Sequence, residues 1–202
     1  LHGQRPAGLT AKDVVLNLLA HFGASTLLGY SVEIYGKAVD AFTLDERITI
    51  SSMATEMGAI IILFTPNDEV RKYSEGRVGK PVEIIKADED AHYHQVFDLD
   101  MSSFTHRVSL PGQPHHTVSI EEAKKTKIDS GFIGSCTNGR MEDMRAAAQV
   151  LNGNQVAPGV VLKIVPSTNE VWMQCMEEGI LQIFKNAGAL VSNAGCAGCA
   201  AG

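Results

Sequence analysis

No stretch of this sequence reaches the ~18 consecutive apolar residues that a bilayer-spanning helix needs. The longest apolar run, Ala59-Ile60-Ile61-Ile62-Leu63-Phe64, is only strand-sized. Positive charge is also short: 17 Lys and Arg stand against 23 Asp and Glu, for a net charge of −6. That balance argues against nucleic acid or an anionic membrane as partner. Cysteine is scarce, and four in 202 residues do not make a disulfide scaffold. Internal repeats and low-complexity tracts are absent, and the opening from Leu1-His2-Gly3 does not read as a basic-then-apolar signal region or a transit peptide. The chain stops at Ala200-Ala201-Gly202, straight after a cysteine motif, so both ends read as those of an excised fragment.

What is present is ordinary globular composition, 45% hydrophobic and 20% charged. An α/β chain of this length buries a core without staples and makes one large or two small domains. Thr10-Ala11-Lys12-Asp13 reads as a capping box ahead of Val14, Val15, Leu18, Leu19 and Phe22 at helical spacing. Residues 31–35 alternate as a strand, 45–57 suit a helix, and 59–64 read as a strand buried on both faces. Beyond Pro66-Asn67-Asp68 comes a short charged segment through Tyr73. Residues 74–94 then read as connection with a short strand near 82–85, and 95–100 as strand-like. Pro111-Gly112-Gln113-Pro114 marks a linker, which divides the chain into domains at 1–105 and 106–202. From Gly131 strands and helices alternate: strand to Gly134, helix 141–151, strand 160–165, helices 169–177 and 180–186, strand 189–191. Such alternation predicts an α/β fold of two α/β/α layered domains with mainly parallel sheets.

Three of the four cysteines fall at the ends of predicted strands. Cys136 sits in Gly134-Ser135-Cys136-Thr137-Asn138, and Cys196 and Cys199 form a C-x-x-C in Gly195-Cys196-Ala197-Gly198-Cys199. Carboxyl ends of parallel strands are where open α/β sheets place their ligands. The small residues around each cysteine allow close backbone approach to a bulky group. Three thiolates on an iron–sulfur cube leave one iron open as a Lewis acid. Spacing alone keeps other readings open: zinc held by three cysteines and one of His92, His94, His115 or His116, or a redox or inert thiol pair. Cys175, inside a predicted helix, reads as a buried structural thiol.

Gly134-Ser135-Cys136-Thr137-Asn138 resembles the aconitase-family signature around its first cluster cysteine. The adjoining Gly139-Arg140-Met141-Glu142-Asp143-Met144-Arg145-Ala146-Ala147 is similar to the isopropylmalate dehydratase form of that region. Asn193 to Gly202 resembles the second signature, with Ala and Gly replacing the proline or serine and glycine around the cysteine pair. Leu9 to Val14 and Gly29 to Gly36 are similar to the same large-subunit branch, and the resemblance runs in register along nearly the whole chain.

The resemblance implies an aconitase-like fold and a 4Fe-4S hydro-lyase that removes and re-adds water on a small hydroxy acid such as isopropylmalate, in leucine biosynthesis in the cytoplasm. It implies Cys136, Cys196 and Cys199 as cluster ligands. Glu56 corresponds to a family glutamate directed at the cluster; Ser52 stands where the family has asparagine four residues earlier, with a shorter reach. The family's upstream Asp-Ser-His and downstream Asn-Arg-rich segments have no counterpart here. Its serine base belongs to a small subunit or swivelling domain, so the chain alone is expected to be inactive. Homoaconitate, citramalate or dimethylmalate are neighbouring substrates, and an iron-sensing RNA-binding relative is the alternative from another class. Arg140 and Arg145 read either as substrate contacts or as surface ion pairs.

Overall fold

Thr10 starts the first helix, α1 (Ala11–Phe22), as its sequence predicts: the Thr10 hydroxyl accepts from the Asp13 amide and the Asp13 carboxylate accepts from the Thr10 amide. This computed structural model describes residues 1–196. Helix α1 buries Val14, Val15, Leu18 and Leu19, each contributing roughly 1.5–3 kcal/mol by leaving water. Strand β1 (Ser31–Ile34) follows, then the short α2 (Lys37–Asp40) and α3 (Leu44–Ser52), the latter capped reciprocally by Thr43 and Glu46. Strand β2 (Ile61–Phe64) pairs with β1 in parallel, Ile34 beside Phe64. Helix α4 (Asp68–Val78) is five residues longer than the charged segment read from the sequence, and buries no side chain.

A short antiparallel hairpin, β3 (Arg107–Ser109) with β4 (Thr117–Ser119), is followed by α5 (Ile120–Ala123). The predicted linker at 111–114 is its loop. The hairpin belongs to the first of two compact units, which divide between Lys124 and Lys125. The reason is visible in the hydrogen bonds to α1. Asn17 donates to the Thr105 carbonyl at 2.8 Å and accepts from the Thr105 amide at 3.2 Å, and His106 lies 3.2 Å from Asp13.

The second unit starts with β5 (Ser130–Gly134), the single turn α6 (Ser135–Asn138) and α7 (Met141–Leu151). Strand β6 (Val161–Val165), α8 (Asn169–Glu177), α9 (Ile180–Asn186) and β7 (Leu190–Val191) complete it. The three strands form one parallel sheet in the order β5-β6-β7. Met144, Ile164, Cys175 and Phe184, fully buried, form the centre of its core.

The α/β class and the parallel sheets are as the sequence predicts. The layering is thinner, because each parallel sheet buries one face among the described residues. Ile62 is buried while Ile61 and Leu63 on the other face of β2 are exposed; Ile164 is buried while Phe132 and Leu190 are exposed. No helix among the described residues is long and apolar enough to cross a membrane.

Candidate metal centre

The turn that carries Cys136 is shaped by its neighbours before chemistry enters. Strand β5 ends at Gly134 with φ 151°, where a Cβ would meet the Val165 carbonyl oxygen at 2.2 Å, so only glycine fits. Ser135 follows at φ 59°, the one non-glycine residue with positive φ among those described, and is buried. Holding serine there costs about 1–3 kcal/mol, and such strain collects at functional turns. The far side of the turn is pinned by Asp143, whose carboxylate accepts from the Arg140 amide at 3.0 Å and the Asn138 amide nitrogen at 3.3 Å. Cys136 itself is exposed.

The β6–α8 loop joins this turn to the second cysteine loop. The Ser167 amide donates to the Gly139 carbonyl at 2.9 Å, three residues past Cys136. On the other side the Gly195 amide, adjacent to Cys196, donates to the Pro166 carbonyl at 3.0 Å, and the Ser192 amide to Ile164 at 3.0 Å. Gly139 is also tightly enclosed: a Cβ there would meet the Ser135 carbonyl oxygen at 2.5 Å and the Ser167 amide nitrogen at 2.9 Å. Cys136 and Cys196 therefore follow the carboxyl ends of β5 and β7, on either side of β6, and both are exposed. Beside them Ser167, Asn169, Trp172, Asn193 and Gly195 line a cleft of about 580 Å³.

The third predicted ligand, Cys199, lies outside the described residues. Among those described, no three His, Cys, Asp or Glu side chains gather as a metal site would require. The four histidines weighed as zinc ligands all belong to the first unit. Two exposed thiols on glycine-lined loops at one sheet end fit the softer, bulkier sulfur chemistry of a cluster. Cys175 belongs elsewhere. It is buried beneath α7, and burial pushes its thiol up to about 11.

Ser52 and Glu56 lie in the first unit, on less regular backbone than one helical face requires. Helix α3 ends at Ser52, and three-residue bonds (Met53 to Ile50, Ala54 to Ser51, Met57 to Ala54) tighten the chain into a 3-10 turn over Thr55–Met57. Gly58, in the left-handed region at φ 79°, closes it. The Ser52 hydroxyl donates to the Thr49 carbonyl at 2.9 Å and borders a largely apolar groove of about 470 Å³ beside Ile62 and Phe64. Glu56 is half-buried, with Oε2 accepting from the Thr55 hydroxyl at 3.0 Å. Arg47 fixes α3 to the end of β2: its buried guanidinium donates to the Val39, Phe42 and Thr65 carbonyls at 2.8–3.0 Å, and desolvation lowers its pKa. Arg145 is taken by Glu178, 2.6 and 2.9 Å away.

Sequence reasoning missed Asp143, Gly139 and Ser167. Asp143 had a signal, an acidic residue in the first turn of a predicted helix. The other two act through backbone contacts between distant segments, which no local pattern records.

The aconitase family (aconitate hydratase) matches the chain over residues 1–202. The 3-isopropylmalate dehydratase large subunit of Caldicellulosiruptor bescii is 38% identical over 203 residues, covering 100% of this chain and 47% of that protein. The 3-isopropylmalate dehydratase large subunit 1 of Pyrococcus furiosus is 39% identical over 196 residues, 96% of this chain and 46% of that protein. The large subunit from Helicobacter hepaticus is 37% identical over 202 residues, with 100% and 48% covered. The chain thus spans about half the length of the curated relatives it matches.

Proposed function

This chain belongs to the aconitase family along its whole length, and from that premise we propose that it is the cluster-holding part of a hydro-lyase of the 3-isopropylmalate dehydratase type. The observation that carries the reading is the pair of exposed cysteines after β5 and β7, tied through one loop of β6. Cys136, Cys196 and Cys199 hold a 4Fe-4S cluster as thiolates. When bound, the cluster supplies an open iron as Lewis acid toward the hydroxyl and a carboxylate of a hydroxy-dicarboxylic acid.

The other residues to which the family resemblance gives a role, Glu56 and Ser52, belong to the first unit. Glu56 keeps Oε2 on Thr55, which leaves Oε1 to take or return a proton at the leaving hydroxyl. Ser52, its hydroxyl turned onto the Thr49 carbonyl, is a weaker contact than the family's asparagine. The base for the carbon-bound proton comes from a partner, in keeping with the relatives' names as large subunits. The setting is the cytoplasm, and the pathway is leucine biosynthesis. Homoaconitate, citramalate and dimethylmalate are the neighbouring substrates.

Anaerobic reconstitution with iron and sulfide tests this. The expected result is broad visible absorbance from thiolate-bound iron, lost in Cys136→Ser, Cys196→Ser and Cys199→Ser. Stoichiometric zinc with no iron uptake would sink the reading. Turnover of 2- or 3-isopropylmalate is expected only once the remaining large-subunit segments and a small subunit are added.

A further inference from the structure

Ser167 stands at the point where the two cysteine loops are joined. Its amide holds the Cys136 turn through Gly139, and the carbonyl of its neighbour Pro166 holds the Cys196 loop through Gly195. Its side chain does neither. The Ser167 Oγ is buried and has no hydrogen-bond partner among the described residues, and Ser167 is one of the residues lining the 580 Å³ cleft. A buried hydroxyl without a partner costs about 1–3 kcal/mol, so native structures rarely keep one idle. The adjacent hydroxyl behaves as expected: Thr168 caps α8 by accepting from the Val171 amide. Ser167, one residue earlier, has no backbone group to cap.

We propose that the Ser167 hydroxyl donates a hydrogen bond to a sulfur of the iron–sulfur group held between these loops, either an inorganic sulfide or a ligating thiolate. This rests on the cluster reading above and adds a residue that reading does not contain. Sulfur is a weak acceptor that gains from a donor as its negative charge grows. The bond is therefore stronger to the reduced cluster than to the oxidised one, and it raises the reduction potential. Ser167 is a positioning and tuning residue; it touches the cluster and not the substrate.

The test compares wild type with Ser167→Ala, Ser167→Gly and Ser167→Thr, all reconstituted anaerobically and titrated for the potential of the cluster. Ala and Gly remove the hydroxyl, one of them without any side chain to misplace, whereas Thr keeps it. Iron and sulfide content are expected to be equal in all four. The potential is expected to fall in Ala and Gly alike and to stay near wild type in Thr. Equal potentials in all four overturn the assignment, as does a Thr variant that falls with Ala. A wild-type chain that takes up no iron and sulfide overturns the cluster reading itself, a distinct result seen before any variant is compared.

Discussion

The Sγ of Cys175 lies 3.6 Å from the Sδ of Met141, joining α8 to the start of α7 beneath the turn that carries Cys136. The one cysteine outside the proposed ligand set thus supports the core. Its thiol is held well above the ordinary value of 9.0, at about 11, by desolvation first and by Glu178 second.

Cys175→Ser is expected to leave cluster content unchanged and to destabilise the second unit by about 1–3 kcal/mol, since a hydroxyl there replaces a soft sulfur contact. Metal analysis and urea melts check the two halves separately. Iron loss in this variant matching that of Cys136→Ser would place Cys175 among the ligands.

Alkaline stability depends on the same group. Because the folded thiol binds its proton more tightly than the unfolded one, its contribution is fully present below pH 9 and is lost as pH rises toward about 11. Melts across that window should show a decline that Cys175→Ala, which has no proton to lose, does not share.

Gly139→Ala should cost about 1–3 kcal/mol by overpacking, although the backbone of residue 139 is not in the left-handed region. The added carbon has only backbone to push, at Ser135 and Ser167. The cluster should assemble poorly in this variant. Unchanged stability and iron content would show that the two loops are not locked together there.

Glu56→Gln keeps the size and one acceptor oxygen but removes the ionisable carboxyl group. In the protein assembled with its partner, turnover should drop ~10²–10⁴-fold with cluster content intact. Arg145→Ala should leave turnover alone, because its guanidinium is committed to Glu178. That ion pair lowers the Glu178 pKa, so its small stabilisation is present at neutral pH and fades as pH falls through the depressed carboxylate range.

The second unit was the more legible half. Val160 to Val165 is rich in β-branched residues, and the helices around it bury stripes at helical spacing, so each element announces its type. Helix α4 hides because it buries nothing; the Asn67 cap and Arg71 bridging Asp68 and Glu75 support it instead. The strand expected at 82–85 is not formed, and the Val82 amide goes to the Glu75 carboxylate. Pro111 to Pro114 closes a hairpin rather than a linker, which only the pairing of Arg107 with Ser119 reveals. Of the proposed site, the sequence displays the cysteines, whose small neighbours mark them. It does not display Ser167 and Gly139, which matter through each other's backbone.

The return of residues 105–119 to α1 also sets an order of events at the ribosome. Asn17 waits 88 residues for Thr105, and Leu16 waits 101 for the Thr117 hydroxyl. Helix α1 can form as it emerges, but its apolar stripe cannot be fully covered until the hairpin has cleared the exit tunnel. The second unit closes over shorter separations: Ser130 meets Val161, and Lys163 meets Leu190. Synthesis at roughly 5–20 residues per second leaves the nascent first unit open for several seconds. During that interval the apolar stripe of α1 lacks the cover that the hairpin later supplies.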